Sequence, residues 1–363
     1  MVVPRRVQFL AGLLILAGSL SVVSFSAAQD GQKGEKIRFT TVDGVEIQGM
    51  FYAGASRKSP TIMFLHALGE DSRKKAWVSL AESLNKAGYA VLTFDFRGHG
   101  QSTSIEPTVF WNSKNAALVK GAPKKESIEF KDMKSEYYPV LVNDIAAAKA
   151  FLDQRNDNGE CNTSSFMVLG AETGATLGAL WLNAEWHRFR FDPAVFMVSP
   201  AMIAKTSEGR DTIAAIWLSA TTKLGSRTVY LTKLLAVAGK ENATPMVFMC
   251  SDEDTFSKSI AVACEKALKG GKKDEKYRFT AAVPIKGGGK LKGAGLLQKS
   301  LGTDDAIVEY IKGVVEAKSN EWSEREFRRN QYVWKLADQA PVPAKLPKEK
   351  TLIFDTYERF LPR

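Results

Sequence analysis

Ser165-Phe166-Met167-Val168-Leu169-Gly170-Ala171-Glu172-Thr173-Gly174-Ala175-Thr176-Leu177-Gly178-Ala179-Leu180-Trp181 is the stretch on which the reading of this chain turns. A mostly apolar run of strand length enters Gly170-Ala171-Glu172-Thr173-Gly174. The apolar positions that follow, Leu177, Leu180, Trp181 and Ala184, recur at helical spacing. The pattern predicts a buried strand, a tight turn and a helix, with Glu172 at the apex of the turn.

Working upstream, Thr61–Leu65 and Ala90–Phe94 are short uninterrupted apolar runs, as expected of strands covered on both faces. Between them Trp77, Leu80, Ala81, Leu84 and Ala87 mark one face of a helix that Gly88 closes. Strand, helix and strand at this spacing form a right-handed crossover of a parallel sheet. The alternation Ile37, Phe39, Thr41 and then Val45, Ile47, Gly49, Phe51, around Asp43-Gly44, predicts an N-terminal hairpin with a two-residue turn. Residues 103–139 break the rhythm, and an excursion of that length reads as a lid or binding loop. Leu141, Ile145, Ala148 and Leu152 then restore a helix.

Downstream, two runs compete for the next strand, Ala194–Val198 and Ile213–Leu218. The second is preferred, because Thr228–Ala238 then supplies a crossover helix and Met246–Cys250 the following strand. Tyr277–Val283 reads as the last strand, and Ile307, Tyr310, Ile311 and Val314 as the closing helix. Beyond Lys318, charged residues interleaved with Trp322, Phe327, Tyr332 and Trp334, then Pro341–Pro347, read as a tail on the domain surface.

Over roughly residues 35–315 the chain resembles the α/β-hydrolase superfamily, in particular its dienelactone-hydrolase and esterase-like members. Four features carry the resemblance in order: His66-Ala67-Leu68-Gly69, Asp95-Phe96-Arg97-Gly98-His99-Gly100-Gln101-Ser102, the elbow Gly170–Gly174, and an acid-bearing loop at Asp254. The resemblance implies an α/β fold with a mainly parallel sheet and helices on both faces, and a nucleophile, acid and histidine in that chain order. It implies an oxyanion hole from the Thr173 amide and that of Ala67 or Leu68, a triad acid at Asp254 with Asp252 as substitute, and pocket positions at His66 and His99.

The same resemblance exposes two departures. The elbow apex is Glu172 where the family has serine. The stretch matching the base histidine is Lys292-Gly293-Ala294-Gly295, and none of the three histidines, His66, His99 and His187, lies beyond residue 187. A serine attacks only when a base takes its proton, and this chain has neither member of that pair. The expectation is a salt-bridged remnant in which Lys292 reaches Glu172 and Asp254, on a protein without conventional serine hydrolase activity that binds a small molecule or protein. The alternative is an extracytoplasmic esterase or dienelactone-hydrolase-like enzyme with a non-standard constellation. Haloalkane dehalogenases and epoxide hydrolases place an aspartate at the elbow, but they still use the histidine for the second step. No metal site, cofactor or nucleic-acid partner is expected. A carboxylate pair of Glu172 with Asp254 or Asp252 would suit a divalent cation, which the neighbouring Lys292 opposes.

Residues 1–28 have the pattern of a secretory signal: Arg5-Arg6, an apolar run from Phe9 to Val23, then Ser26-Ala27-Ala28. The expected organisation is therefore a signal over 1–28, a hydrolase domain over 29–315 with a lid-like insertion at 103–139, and a C-terminal extension over 316–363. The destination is periplasmic, cell-envelope or secreted, with a membrane role only if the segment stays uncleaved. The formal charge is +10, roughly +8 without Arg5 and Arg6, which admits an anionic envelope polymer as partner. Cys161, Cys250 and Cys264 allow at most one disulfide, and Cys250 sits in an apolar run that favours a buried thiol. Asn162-Thr163-Ser164 and Asn242-Ala243-Thr244 match the glycosylation sequon.

Overall fold

A computed structural model describes residues 34–191, 203–270, 274–326, 331–334 and 342–343. Residues 1–28, expected to be a signal, the run Ala194–Val198 and most of the tail beyond Glu326 lie outside the described residues.

The main sheet has eight strands: β1 (Glu35–Thr40), β2 (Glu46–Tyr52), β3 (Pro60–Leu65), β4 (Ala90–Phe94), β5 (Asn162–Ala171), β6 (Thr212–Leu218), β7 (Met246–Ser251) and β8 (Ala281–Ile285). Their spatial order is β1-β2-β4-β3-β5-β6-β7-β8. β1 and β2 pair antiparallel, β2 meets β4 antiparallel, and every pairing from β4 to β8 is parallel.

Helices α1 (Lys75–Lys86), α2 (Val142–Asp157), α3 (Thr173–Trp186), α4 (Thr255–Lys269) and α5 (Thr303–Lys318) cover the two faces. Side chains alternate along a strand, so each buried strand feeds two cores. Ile62, Phe64, Met167, Leu169 and Ile216 pack with Trp77, Leu80 and Leu84 of α1 and Ile307 and Ile311 of α5. Met63, Leu65, Phe166, Val168 and Trp217 pack with Ile145 and Leu152 of α2, Leu177 and Trp181 of α3, and Ile260 of α4. Continuous apolar runs in β3 to β7 follow from this double covering.

Three local expectations change. The hairpin register pairs Thr40 with Glu46, so the connection is Thr41–Val45 rather than two residues. Thr41 closes it: its hydroxyl donates to Asp43 and accepts the Val45 amide. The last strand begins at Ala281, because Glu275–Tyr277 is a 3-10 turn anchored by Asp274. The crossover after β6 is a short helix, Leu231–Leu234, running into a π-turn, Ala236–Glu241.

The 103–139 excursion folds into short helical turns joined by loops, and its Phe110, Ile128 and Tyr137 are fully buried in the core. It is tied down by Arg97, itself fully buried, which donates to Asp43 at 2.6 Å, Asp144 at 2.8 Å and the Tyr137 hydroxyl at 2.8 Å. Segments 188–191 and 203–207 pair antiparallel, and 331–334 adds to 188–191, forming a second small sheet. The chain after α5 closes over the N-terminal end of β5. Asn320 exchanges hydrogen bonds with Ser164 and Ser165, and Arg325, almost fully buried, reaches Asp211 at 2.7 Å and Thr163 at 3.0 Å. All three cysteines are buried free thiols, and burial pushes Cys161 up to about 12. Asn162 is buried and donates to the Asn320 carbonyl, so the first sequon is closed in the folded chain.

Candidate active site

The end of β5 delivers the elbow. Glu172 stands at φ 47°, ψ −115°, a conformation that non-glycine residues rarely hold and that costs roughly 1–3 kcal/mol. The two flanking glycines permit it. A Cβ on Gly170 would lie 2.7 Å from Ala175 Cα, and one on Gly174 would lie 2.3 Å from the His66 carbonyl oxygen. The close approach of α3 to β3 therefore requires the Gly170 and Gly174 that the sequence shows. The Glu172 amide donates to the Leu218 carbonyl at the end of β6.

The Glu172 side chain is half-buried and points toward Gly293, where an added Cβ would meet its Oε1 at 2.7 Å. Burial raises its pKa above the usual range, Glu70 adds to that, and Lys292 and Lys74 work against it. The expected salt bridge is only half formed. Lys292 lies 3.4 Å from Asp254, while Glu172 forms no ion pair among the described residues. Asp254 caps α4 by accepting the Ser257 amide at 3.2 Å. Against the opposing effect of burial, Ser257 and Lys292 hold its carboxyl below the usual range. Asp252 follows β7 with its amide on the Ile285 carbonyl.

The oxyanion-hole-like loop is engaged in a way the sequence did not indicate. The Leu68 amide donates to the Thr173 hydroxyl at 2.7 Å, so the residue after the apex fills one of the two donor positions with its own side chain. The Ala67 carbonyl accepts the Glu70 amide and the His66 ring.

Neither nearby histidine is poised as a base. The Phe96 amide donates to His66 Nε2 at 3.0 Å, so the proton sits on Nδ1 and goes to the Ala67 carbonyl at 2.8 Å. Burial, reinforced by His99, depresses the His66 pKa to about 4. His99 uses Nε2 to accept the Gly69 amide at 2.9 Å and Nδ1 to reach the Arg97 carbonyl at 2.9 Å, and burial lowers its pKa as well. Both rings are loop braces, and Phe130 of the excursion packs on His99 at 4.4 Å. His187 sits at the far end of α3, with Nδ1 on the Asn183 carbonyl.

Two further residues shape the site without any motif to announce them. Ser219, just past β6, is buried at φ 48° and accepts the Gly293 amide at 3.1 Å, which pins the loop carrying Lys292 beside the elbow. Glu70 binds Lys74 through one oxygen, and its Oε2 is buried without a partner. Among the described residues no group of three His, Cys, Asp or Glu side chains is arranged to hold a metal ion.

An eight-stranded hydrolase sheet with an elbow, an acid loop and a His-x-x-Gly loop defines an α/β-hydrolase. A family model agrees: the chain belongs to the hydrolase family described as serine aminopeptidase, S33, whose model matches residues 56–261, more than half of the chain. Among solved structures it is similar to DcsB in complex with its substrate analogue, with a TM-score of 0.51 and 15% identity over 78% of this chain and 100% of that one. A protein of unknown function from Agrobacterium tumefaciens, assigned to the α/β-hydrolases, gives a TM-score of 0.50 and 13% identity over 78% and 98%. An esterase from Pyrococcus furiosus gives 0.48 and 14% over 77% and 91%. At these identities the likeness is one of fold. No curated protein matches the chain.

Proposed function

We propose that the chain is an exported α/β-hydrolase-fold protein without conventional serine hydrolase activity, whose cleft under the 103–139 excursion, beside the elbow, binds a ligand or partner. The observation that carries this reading is the occupation of every imidazole near the cleft. His66 and His99 each commit both ring nitrogens to backbone groups, and Lys292 stands where a base histidine is needed. An ammonium has donors and no lone pair, so it takes no proton from a hydroxyl. Export rests on the Arg5-Arg6, apolar and small-residue pattern of residues 1–28.

The enzyme reading draws support from the backbone of Glu172, which holds the strained conformation of an elbow nucleophile. An ester formed on that carboxylate would still need an activated water to release it, and the cleft offers no imidazole for that step. A panel of short-chain aryl esters tests the two readings. Turnover indistinguishable from buffer supports the binding role, and turnover abolished by Glu172→Ala supports the enzyme.

A further inference from the structure

A second site lies at the opposite end of α3 from Glu172, about 20 Å along the helix at 1.5 Å per residue. There Trp186, Phe189, Lys205, Thr206, Ser207, Arg210, Val237 and Asn242 enclose a groove of about 540 Å³. We infer that this groove binds an organic anion, a carboxylate or phosphate carried on a planar apolar body.

Three features carry the inference. The first is charge segregation. Acids in this region are drawn inward: Glu208 takes Arg190 at 2.7 Å and Asp211 takes Arg325 at 2.7 Å. Lys205 and Arg210 stay exposed on the groove, and among the described residues they form no ion pair and no carboxylate lines it.

The second is a pair of donors without acceptors. Ser207, 9% exposed, lines the groove, and among the described residues neither its hydroxyl nor the Trp186 indole N–H has a hydrogen-bond partner. Buried donors are ordinarily satisfied, so two unsatisfied ones on residues that line one groove leave hydrogen-bonding capacity for acceptor oxygens there. Lys205 and Ser207, two apart on the same short strand, share a face.

The third is shape. Gly209 sits against the indole so closely that a Cβ there would be 2.6 Å from Trp186 Cγ. The turn bearing Arg210 is thereby brought alongside Trp186 and Phe189, which supply an apolar wall. Cations and hydrogen-bond donors beside aromatic rings select an anion with a flat hydrophobic part.

The test uses 2-naphthoate as probe, with 2-naphthalenemethanol as its neutral counterpart, followed through the Trp186 indole N–H resonance assigned by through-bond NMR. The inference predicts a saturable shift with 2-naphthoate and at least ten-fold weaker binding of the alcohol. Lys205→Ala with Arg210→Ala, both exposed, should weaken 2-naphthoate at least five-fold, and Ser207→Ala should weaken it without lowering the melting temperature. Absence of a saturable shift, equal affinity for the alcohol, or an affinity unchanged in the double variant would each overturn it.

Discussion

The Thr173 hydroxyl accepts the Leu68 amide at 2.7 Å, and so a side chain of the elbow helix occupies a donor that an ester oxyanion would need. Losing one such donor typically costs about 10²–10³ in kcat. Glu172→Ser combined with Lys292→His should therefore hydrolyse p-nitrophenyl acetate poorly while Thr173 is present. Adding Thr173→Gly should raise the rate by at least ten-fold. An equal rate with and without the threonine would remove the plug from the account.

Glu172 carries a carboxyl that burial and Glu70 push above its ordinary range. A raised acid favours the protonated folded state, so its ionisation weakens folding as pH rises through the folded pKa. Glu172→Gln should melt higher than the parent at pH 8, and the gap should shrink as pH falls toward 4.5. Melting curves of both proteins at the two pH values check the sign, and a gap that widens on acidification contradicts it.

His66 behaves in the opposite sense. Its pKa of about 4 lies below the unfolded value, so the stability held by the neutral ring is present above about pH 6.5 and is lost as pH falls toward 4. His66→Ala should also strand the Phe96 amide and cost roughly 1–3 kcal/mol at neutral pH. Urea unfolding at pH 7 and pH 5 measures both effects, and the parent should lose more stability between those pH values than the variant.

Arg97 is buried between Asp43 and Asp144. Arg97→Met leaves two carboxylates without their cation and should destabilise by about 3–5 kcal/mol, with partial recovery on adding Asp43→Asn and Asp144→Asn. Chemical denaturation reads the series, and a loss under 1 kcal/mol for the single variant would contradict the network.

The fold was legible because its signals are local. Apolar runs at Thr61–Leu65 and Ala90–Phe94, and the glycines flanking Glu172, specify strands and an elbow within a few residues each. The lack of a histidine beyond residue 187 was legible too, since histidines can be counted. Relations between distant segments were not. Arg97 needs Asp43 and Asp144 from separate elements, and residues 188–191 find 331–334 only in the folded chain. Ser219 carries no motif and acts through its positive φ and its bond to Gly293. The reach of Lys292 was half legible: sequence placed it against both Asp254 and Glu172, and the loop pinned by Ser219 brings its ammonium to Asp254 while Glu172 forms no ion pair among the described residues.

The central claim is that no hydroxyl in this cleft is activated for attack, and intact-mass spectrometry after incubation with a fluorophosphonate probe tests it most directly. The protein should remain unmodified, since Glu172 replaces the serine and both cleft imidazoles are held by backbone. A stoichiometric adduct on Ser219, Ser251 or any other cleft serine would contradict it.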